Sequence, residues 1–225
     1  MNHHFEQSDV AIVSGADHYP DRAPFDPPEP YPERPAVDGR LDTANAVYPM
    51  VREALRQLGA DSGNFGRPGW NPLGEIISPG DRVLIKPNFV LHFNAGAGPL
   101  EAVITHPSIL RAIADYVIIA LRDRGEIVIG DAPQMNCDFG KLSKETGLDI
   151  LAEELRRACA IRGIGFHLLD LRQEQTIYRH GIVWKRLPLV SQTRPQMNLP
   201  VPVRLGSESF MEAIDSSRLY GADYA

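Results

Sequence analysis

Cysteine is nearly absent: Cys137 and Cys159 are the only two in 225 residues. They stand far apart and form no C-x-x-C pair, which excludes a disulfide framework, a zinc-ligand set and an iron–sulfur cluster of the chain's own. A reducing compartment is the expectation. Long apolar runs are also missing. The longest, Tyr116 to Leu121, is far short of the roughly 20 residues a membrane-spanning helix needs. The opening residues, Met1 to Val10, are polar and lack the apolar centre of a signal peptide, so a cytoplasmic protein with no membrane partner is expected. Positive charge is in deficit, with a net charge of −6, which argues against a nucleic-acid partner, since phosphate backbones call for a basic face. No G-x-x-x-x-G-K-[ST], no G-x-S-x-G and no H-x-x-x-H or H-x-H spacing occurs.

What remains is ordinary globular material, 43% hydrophobic, in a chain long enough for one full core plus an appendage. The stretch Gly80-Asp81-Arg82-Val83-Leu84-Ile85-Lys86-Pro87-Asn88 reads as a buried strand opened by a Pro79-Gly80-Asp81 turn. Lys86 breaks the apolar run, and Pro87, which has no N–H, ends the ladder. Ligands of open α/β sheets bind just outside the carboxyl ends of strands, so Lys86 and Asn88 are candidates for a site.

Val10 to Val13 predicts a short strand, central or next to centre, with Ser14 and Asp17 on the same rim. A proline-rich arm, residues 19–35, is expected to lie extended over the surface, held by Tyr19, Phe25 and Tyr31. A single apolar stripe, Val47, Met50, Val51, Ala54, Leu55 and Leu58, predicts a helix from near Tyr48 to Gly59. Residues 61–72 read as loop, anchored by Trp70. Thr105-His106-Pro107 opens another helix, with a broad apolar face from Ile109 to Leu121 that Gly125 is expected to close. Glu126 to Asp131 then reads as a strand. Strand, helix, strand is a β-α-β unit, which puts Asn88 and Asp131 at the carboxyl ends of parallel strands. Residues 148–162 read as an amphipathic helix and 165–171 as a further strand, with His167 a sheet residue. Residues 176–187 read as a hairpin turning at His180-Gly181. Met197 to Leu205 could supply an edge strand and Ser207 to Ala225 a short helix, and the ending after Tyr220 has no closing element.

The expected fold is therefore three-layer α/β, Rossmann-like, with a mainly parallel sheet, flanking helices and a β-rich C-terminal extension. Residues 1–171 would form the α/β domain, and residues 172–225 a hairpin extension and irregular tail belonging to a truncated second part. The candidate crevice gathers Lys86 and Asp131 as catalytic groups, with Asn88, His106, Gly96 and Gly98 as substrate contacts. A lysine beside loop amides and a helix start suits a phosphate or carboxylate. A divalent metal on Asp131 and Asp138, completed by Asn88 and by His92 or His106, is the alternative chemistry. Cys137 and Cys159 read as ordinary thiols.

On Gly80, Val83, Lys86, Pro87 and Asn88, then Thr105-His106-Pro107, then Gly125 and Ile129-Gly130-Asp131, the chain resembles the domain-of-unknown-function family 362. The resemblance covers roughly Val10 to Leu171 and is most specific over residues 80–133. It implies an α/β domain with Lys86, Asn88 and Asp131 at strand ends, and little chemistry. Many members carry ferredoxin-like iron–sulfur segments, from which this chain departs. Members are often longer, so the chain is expected to stop before the family's C-terminal portion, where catalytic groups could lie. The leading functional expectation is an enzyme of a small anionic metabolite, in a chain that could form a homo-oligomer. The rival is a non-catalytic module that binds a partner.

Overall fold

A computed structural model of the chain describes residues 9–34 and 40–189. It divides into two compact units, Met1–Asp170 and Leu171–Ala225. The edge strand and short helix expected after residue 190 lie outside the described residues.

The first unit holds a three-stranded parallel sheet in the order β1 (Arg82–Ile85), β2 (Gly125–Asp131), β3 (Ile164–Asp170). Helix α1 (Val47–Gln57) precedes the sheet, α2 (Pro107–Leu121) links β1 to β2, and α3 (Phe139–Thr146) and α4 (Leu148–Ile161) link β2 to β3. Side chains alternate across a strand. Val83, Ile85, Ile127, Ile129, Phe166 and Leu168 therefore share one face, where they form a single core with Leu110, Val117 and Leu121 of α2 and Leu151, Leu155 and Cys159 of α4. Helix α2 is buried nearly all round. Its other side carries Ala112 and Tyr116, and α1 packs there through Tyr48 and Val51. The chain is a mixed α/β protein, with α2 and α4 packed on the sheet and α1 packed on α2.

Three expectations need correction. Val10 to Val13 forms no strand: Val10 and Ile12 are each 81% exposed, because an isolated apolar tetrad with no neighbour to pair with has nothing to bury it. The strand at residues 82–85 is a half-exposed edge and not a buried one, with Leu84 54% exposed; β2 is the central, buried strand. Gly125 likewise starts β2 instead of ending α2. Its φ of +128° is glycine territory, and a Cβ there would stand 2.6 Å from the Asp81 carbonyl oxygen. Helix α3 had no counterpart in the sequence reading, although Asp138 and Gly147 mark its ends. The Asp138 side chain caps the first turn by accepting from the Lys141 N–H at 2.9 Å, and Gly147 is left-handed.

The proline-rich arm is more than a surface strap. Phe25 enters the main core and Tyr31 stacks on Tyr48. Its buried acidic residues, Asp26 and Glu33, are locked by arginines. Arg111 spans the Pro24 carbonyl (3.1 Å), Asp26 (3.2 Å) and Asp115 (3.2 Å). Arg34 of the arm reaches Asp115 at 2.7 Å, and Arg52 of α1 holds Glu33 at 2.7 and 3.2 Å. Trp70 is wholly buried and donates its indole N–H to the Ala60 carbonyl at 3.0 Å, anchoring the loop as expected.

The second unit contains the antiparallel hairpin of β4 (Glu174–Arg179) and β5 (Ile182–Pro188). Its two turn residues, His180 and Gly181, both have positive φ, which matches the twist of a two-residue hairpin. No helix among the described residues is long and apolar enough to cross a membrane.

Candidate functional site

Strand β1 ends because Pro87 cannot donate to the ladder. The chain then turns, and Asn88 to Val90 run antiparallel to residues 103–105. Asn88 N–H donates to the Thr105 hydroxyl and Thr105 N–H to the Asn88 carbonyl, both at 2.9 Å. Asp131, the last residue of β2, is buried beneath this turn. One carboxylate oxygen accepts the Phe89 N–H at 2.6 Å and the other pairs with the Lys86 ammonium at 2.8 Å. Lys86 also donates to the Pro87 carbonyl at 3.0 Å, and its side chain is 59% exposed. Further bonds stitch the two strand-end loops together: Gln134 N–H to the Val90 carbonyl at 3.1 Å, and Asp138 N–H to the His92 ring Nδ1 at 3.0 Å. Lys86 and Asp131 thus meet directly on a cross-linked rim. Asn88 is exposed beside them, and its carboxamide has no partner among the described residues.

The other candidates lie elsewhere or are already engaged. Gly96 donates its N–H to the Asn94 carboxamide oxygen at 2.8 Å, and the amide nitrogen of Asn94 stands 2.8 Å from where a Cβ on Gly98 would lie. Both glycines therefore serve a turn built on Asn94, and the Gly96 amide is committed to it. Asp138 caps α3. Among the described residues no group of three or more His, Cys, Asp or Glu side chains could hold a metal ion. Both cysteines are buried and outside any disulfide, and burial pushes the Cys159 thiol up to about 12.

His106 lies outside the rim contacts. It lines a cleft of about 770 Å³ bounded by Asp21, Phe25, Glu101, Lys144 and Thr146, among others. Its Nδ1 lies 3.2 Å from the Ser108 N–H, from which it accepts, and so caps α2. Tyr19 stacks on the imidazole at 4.4 Å, and Phe25 meets it edge-on at 5.2 Å. Burial lowers the imidazole's pKa, more than the nearby Glu101 and Asp21 raise it. Tyr19 belongs to the cleft wall, a role the sequence reading gave only to the packing of the arm. The signal was an aromatic in a proline-rich segment, but its meeting with His106 depends on tertiary packing.

No curated protein and no solved structure matches this chain. A family model matches residues 83–192, leaving the arm and α1 outside and running past residue 171 through both strands of the hairpin. The model is described as Domain of unknown function (DUF362), and the chain is similar to that family from within β1 through the hairpin.

Proposed function

We propose that the chain is an enzyme that binds a small anionic metabolite, phosphorylated or carboxylated, at the strand-end rim. The observation that carries this reading is the state of the Lys86 ammonium. It has three N–H donors, of which Asp131 and the Pro87 carbonyl take two, and its side chain remains largely open to solvent. An incoming phosphate or carboxylate oxygen takes the third donor without breaking the other two bonds. The neighbouring Asn88 carboxamide supplies further donors and an acceptor to fix the ligand's orientation.

Asp131 is assigned to positioning Lys86, because both of its oxygens are engaged. The Lys86–Asp131 pair is neutral as a unit, so affinity arises from direct contact and little from long-range attraction.

The test is a thermal-shift titration with inorganic phosphate and with phosphorylated and carboxylated metabolites. A ligand at a hundred times its Kd stabilises by about 2.7 kcal/mol. The reading expects such a shift in the native protein and its loss in Lys86→Ala. A shift that survives Lys86→Ala, or none with any anion, overturns it.

A second reading, a non-catalytic module that assembles with a partner or a second copy, is favoured by the hairpin, where Tyr178, Ile182, Val183 and Trp184 are all exposed. Light scattering across a concentration series, with Trp184→Ser beside it, tests that reading. The proposal also retains the fuller architecture. Val128 is only 2% exposed although its neighbours in sequence, Ile127 and Ile129, face the helices. This supports a third layer on the far side of the sheet, with β4 and β5 beginning a β-rich extension.

A further inference from the structure

Phosphate sites in α/β folds commonly use main-chain N–H groups, presented by a loop or a helix start. Around the Lys86 ammonium the described main chain is already committed. Pro87 and Pro133 have no N–H. Asn88 N–H goes to the Thr105 hydroxyl at 2.9 Å, Phe89 N–H to Asp131 at 2.6 Å and Val90 N–H to the Val103 carbonyl at 3.3 Å. On the second loop, Gln134 N–H goes to the Val90 carbonyl at 3.1 Å and Asp138 N–H to the His92 ring at 3.0 Å. The helix starts are taken as well. The Asp138 carboxylate accepts the Lys141 N–H of α3, and α2 opens with Pro107 while the His106 ring accepts the Ser108 N–H.

Two side chains are left to meet an anion. Exposure alternates along the chain here: Lys86 and Asn88 are exposed, whereas Pro87 and Phe89 are buried. Lys86 and Asn88 therefore emerge on one side, two residues or roughly 7 Å apart. The ammonium bends toward Asn88, since it lies 3.0 Å from the Pro87 carbonyl oxygen, which belongs to the peptide group joining Pro87 to Asn88. The setting is neutral before any ligand arrives, because Lys86 already pairs with Asp131 at 2.8 Å. A second negative charge on the ligand would face Asp131 with no further cation paired to that carboxylate among the described residues.

Building on the Lys86 site proposed above, we propose that the ligand's anion is a carboxylate and not a phosphate: one oxygen accepts from Lys86 Nζ and the other from Asn88 Nδ2. Two oxygens and a single charge match two side-chain donors in a neutral setting. A phosphate dianion brings a further oxygen and a further charge, for which the described rim residues hold no donor in reserve.

Benzoate and phenyl phosphate are matched probes, alike in the ring and different in the anion. Each is titrated calorimetrically at about pH 7.5, where the phosphate monoester is mostly a dianion. The Asn88 side-chain amide resonance, assigned by its absence from Asn88→Ala, is followed alongside. Benzoate is expected to bind at least about tenfold more tightly than phenyl phosphate, to shift the Asn88 amide and to lose its binding in Lys86→Ala. Asn88→Ala removes an exposed side chain and keeps the main-chain bond to Thr105, so it is expected to fold. It should weaken benzoate by about tenfold and phenyl phosphate, held by the lysine alone, by less than about twofold. Phenyl phosphate binding as tightly as benzoate through Lys86, or benzoate unaffected by Asn88→Ala, overturns the carboxylate assignment and leaves the anion site standing. Benzoate binding that survives Lys86→Ala, or no binding of either probe up to about 10 mM, overturns both.

Discussion

Arg111 is the most informative position for testing what holds the arm on the domain. Its guanidinium is 97% buried from solvent and makes three contacts at once: the Pro24 carbonyl, Asp26 and Asp115. Arg111→Met keeps most of the volume and removes the charge. Arg34 and the Tyr48 hydroxyl still reach Asp115, at 2.7 and 3.0 Å, and Arg40 lies 3.6 Å from Asp26, so neither carboxylate is left bare. Breaking one partner out of a buried ionic set typically costs about 3–5 kcal/mol. The remaining contacts place this substitution at the lower end, about 3 kcal/mol, which lowers Tm by roughly 6–12 °C for a domain of this size. Urea unfolding followed by Trp70 fluorescence in a Trp184→Phe background measures it, since the chain has two tryptophans and Trp70 lies in the first unit. The arm should also become more open to trypsin at Arg22, which alanine follows. A second readout is acid. Burial alone would raise the Asp115 carboxyl, but Arg111 and then Arg34 outweigh it and hold the pKa below the ordinary value. The associated stability is present above about pH 3.9 and is lost as pH falls through the lower folded value. Arg111→Met should make that acid loss shallower. A midpoint shift worth less than about 1 kcal/mol, with the arm still protected, would refute the view that this network fastens the arm.

At Gly125 the strained φ and the 2.6 Å approach to the Asp81 carbonyl act together, so Gly125→Ala should cost more than about 2 kcal/mol in a denaturant titration. For Asp131 two substitutions separate its two bonds. Asp131→Ala orphans the buried Phe89 N–H and should cost about 1–3 kcal/mol, whereas Asp131→Asn keeps an acceptor and loses only a half-exposed ion pair, worth less than about 1 kcal/mol; equal losses in urea melts would contradict that division. His106 gives a pH signature: because burial lowers its pKa, the stability it contributes is fully present above about pH 6.5 and falls as pH drops through the folded value. His106→Asn, which keeps a capping side chain, should flatten that slope in melting curves taken across this range.

The elements that sequence exposed were those whose cause is local. The α1 stripe, the His106-Pro107 opening of α2 and the His180-Gly181 turn each carry their own geometry in adjacent residues, and all three are present. What sequence could not decide was which strand is central. Val83-Leu84-Ile85 and Ile127-Val128-Ile129 are both branched and apolar, and only the pairing order shows that β1 has one neighbour and β2 has two. The arm misled for a related reason. Asp26 and Glu33 look like solubilising charges in a proline-rich stretch, but they are buried because Arg111 and Arg52, 85 and 19 positions further on, fold back to meet them. Helix α3 was hidden by its brevity, since eight residues offer barely two turns of periodicity.

The same distinction explains the site. Lys86 and Asp131 were legible because each ends an apolar run abruptly, and parallel neighbours bring such endings together. His106 was legible only as a helix cap, because its stack with Tyr19 crosses 87 positions and depends on how the arm lies. The topology accounts for their separation. In an open sheet, a ligand crevice forms where consecutive connections leave in opposite directions. The order β1-β2-β3 contains no reversal, so these three strands alone do not split to form such a crevice. A strand at Val10 to Val13 could have supplied the reversal; its residues are instead exposed. The strand ends therefore offer a stitched rim that presents a lysine, and the larger concavity arises where the proline-rich arm crosses the start of α2.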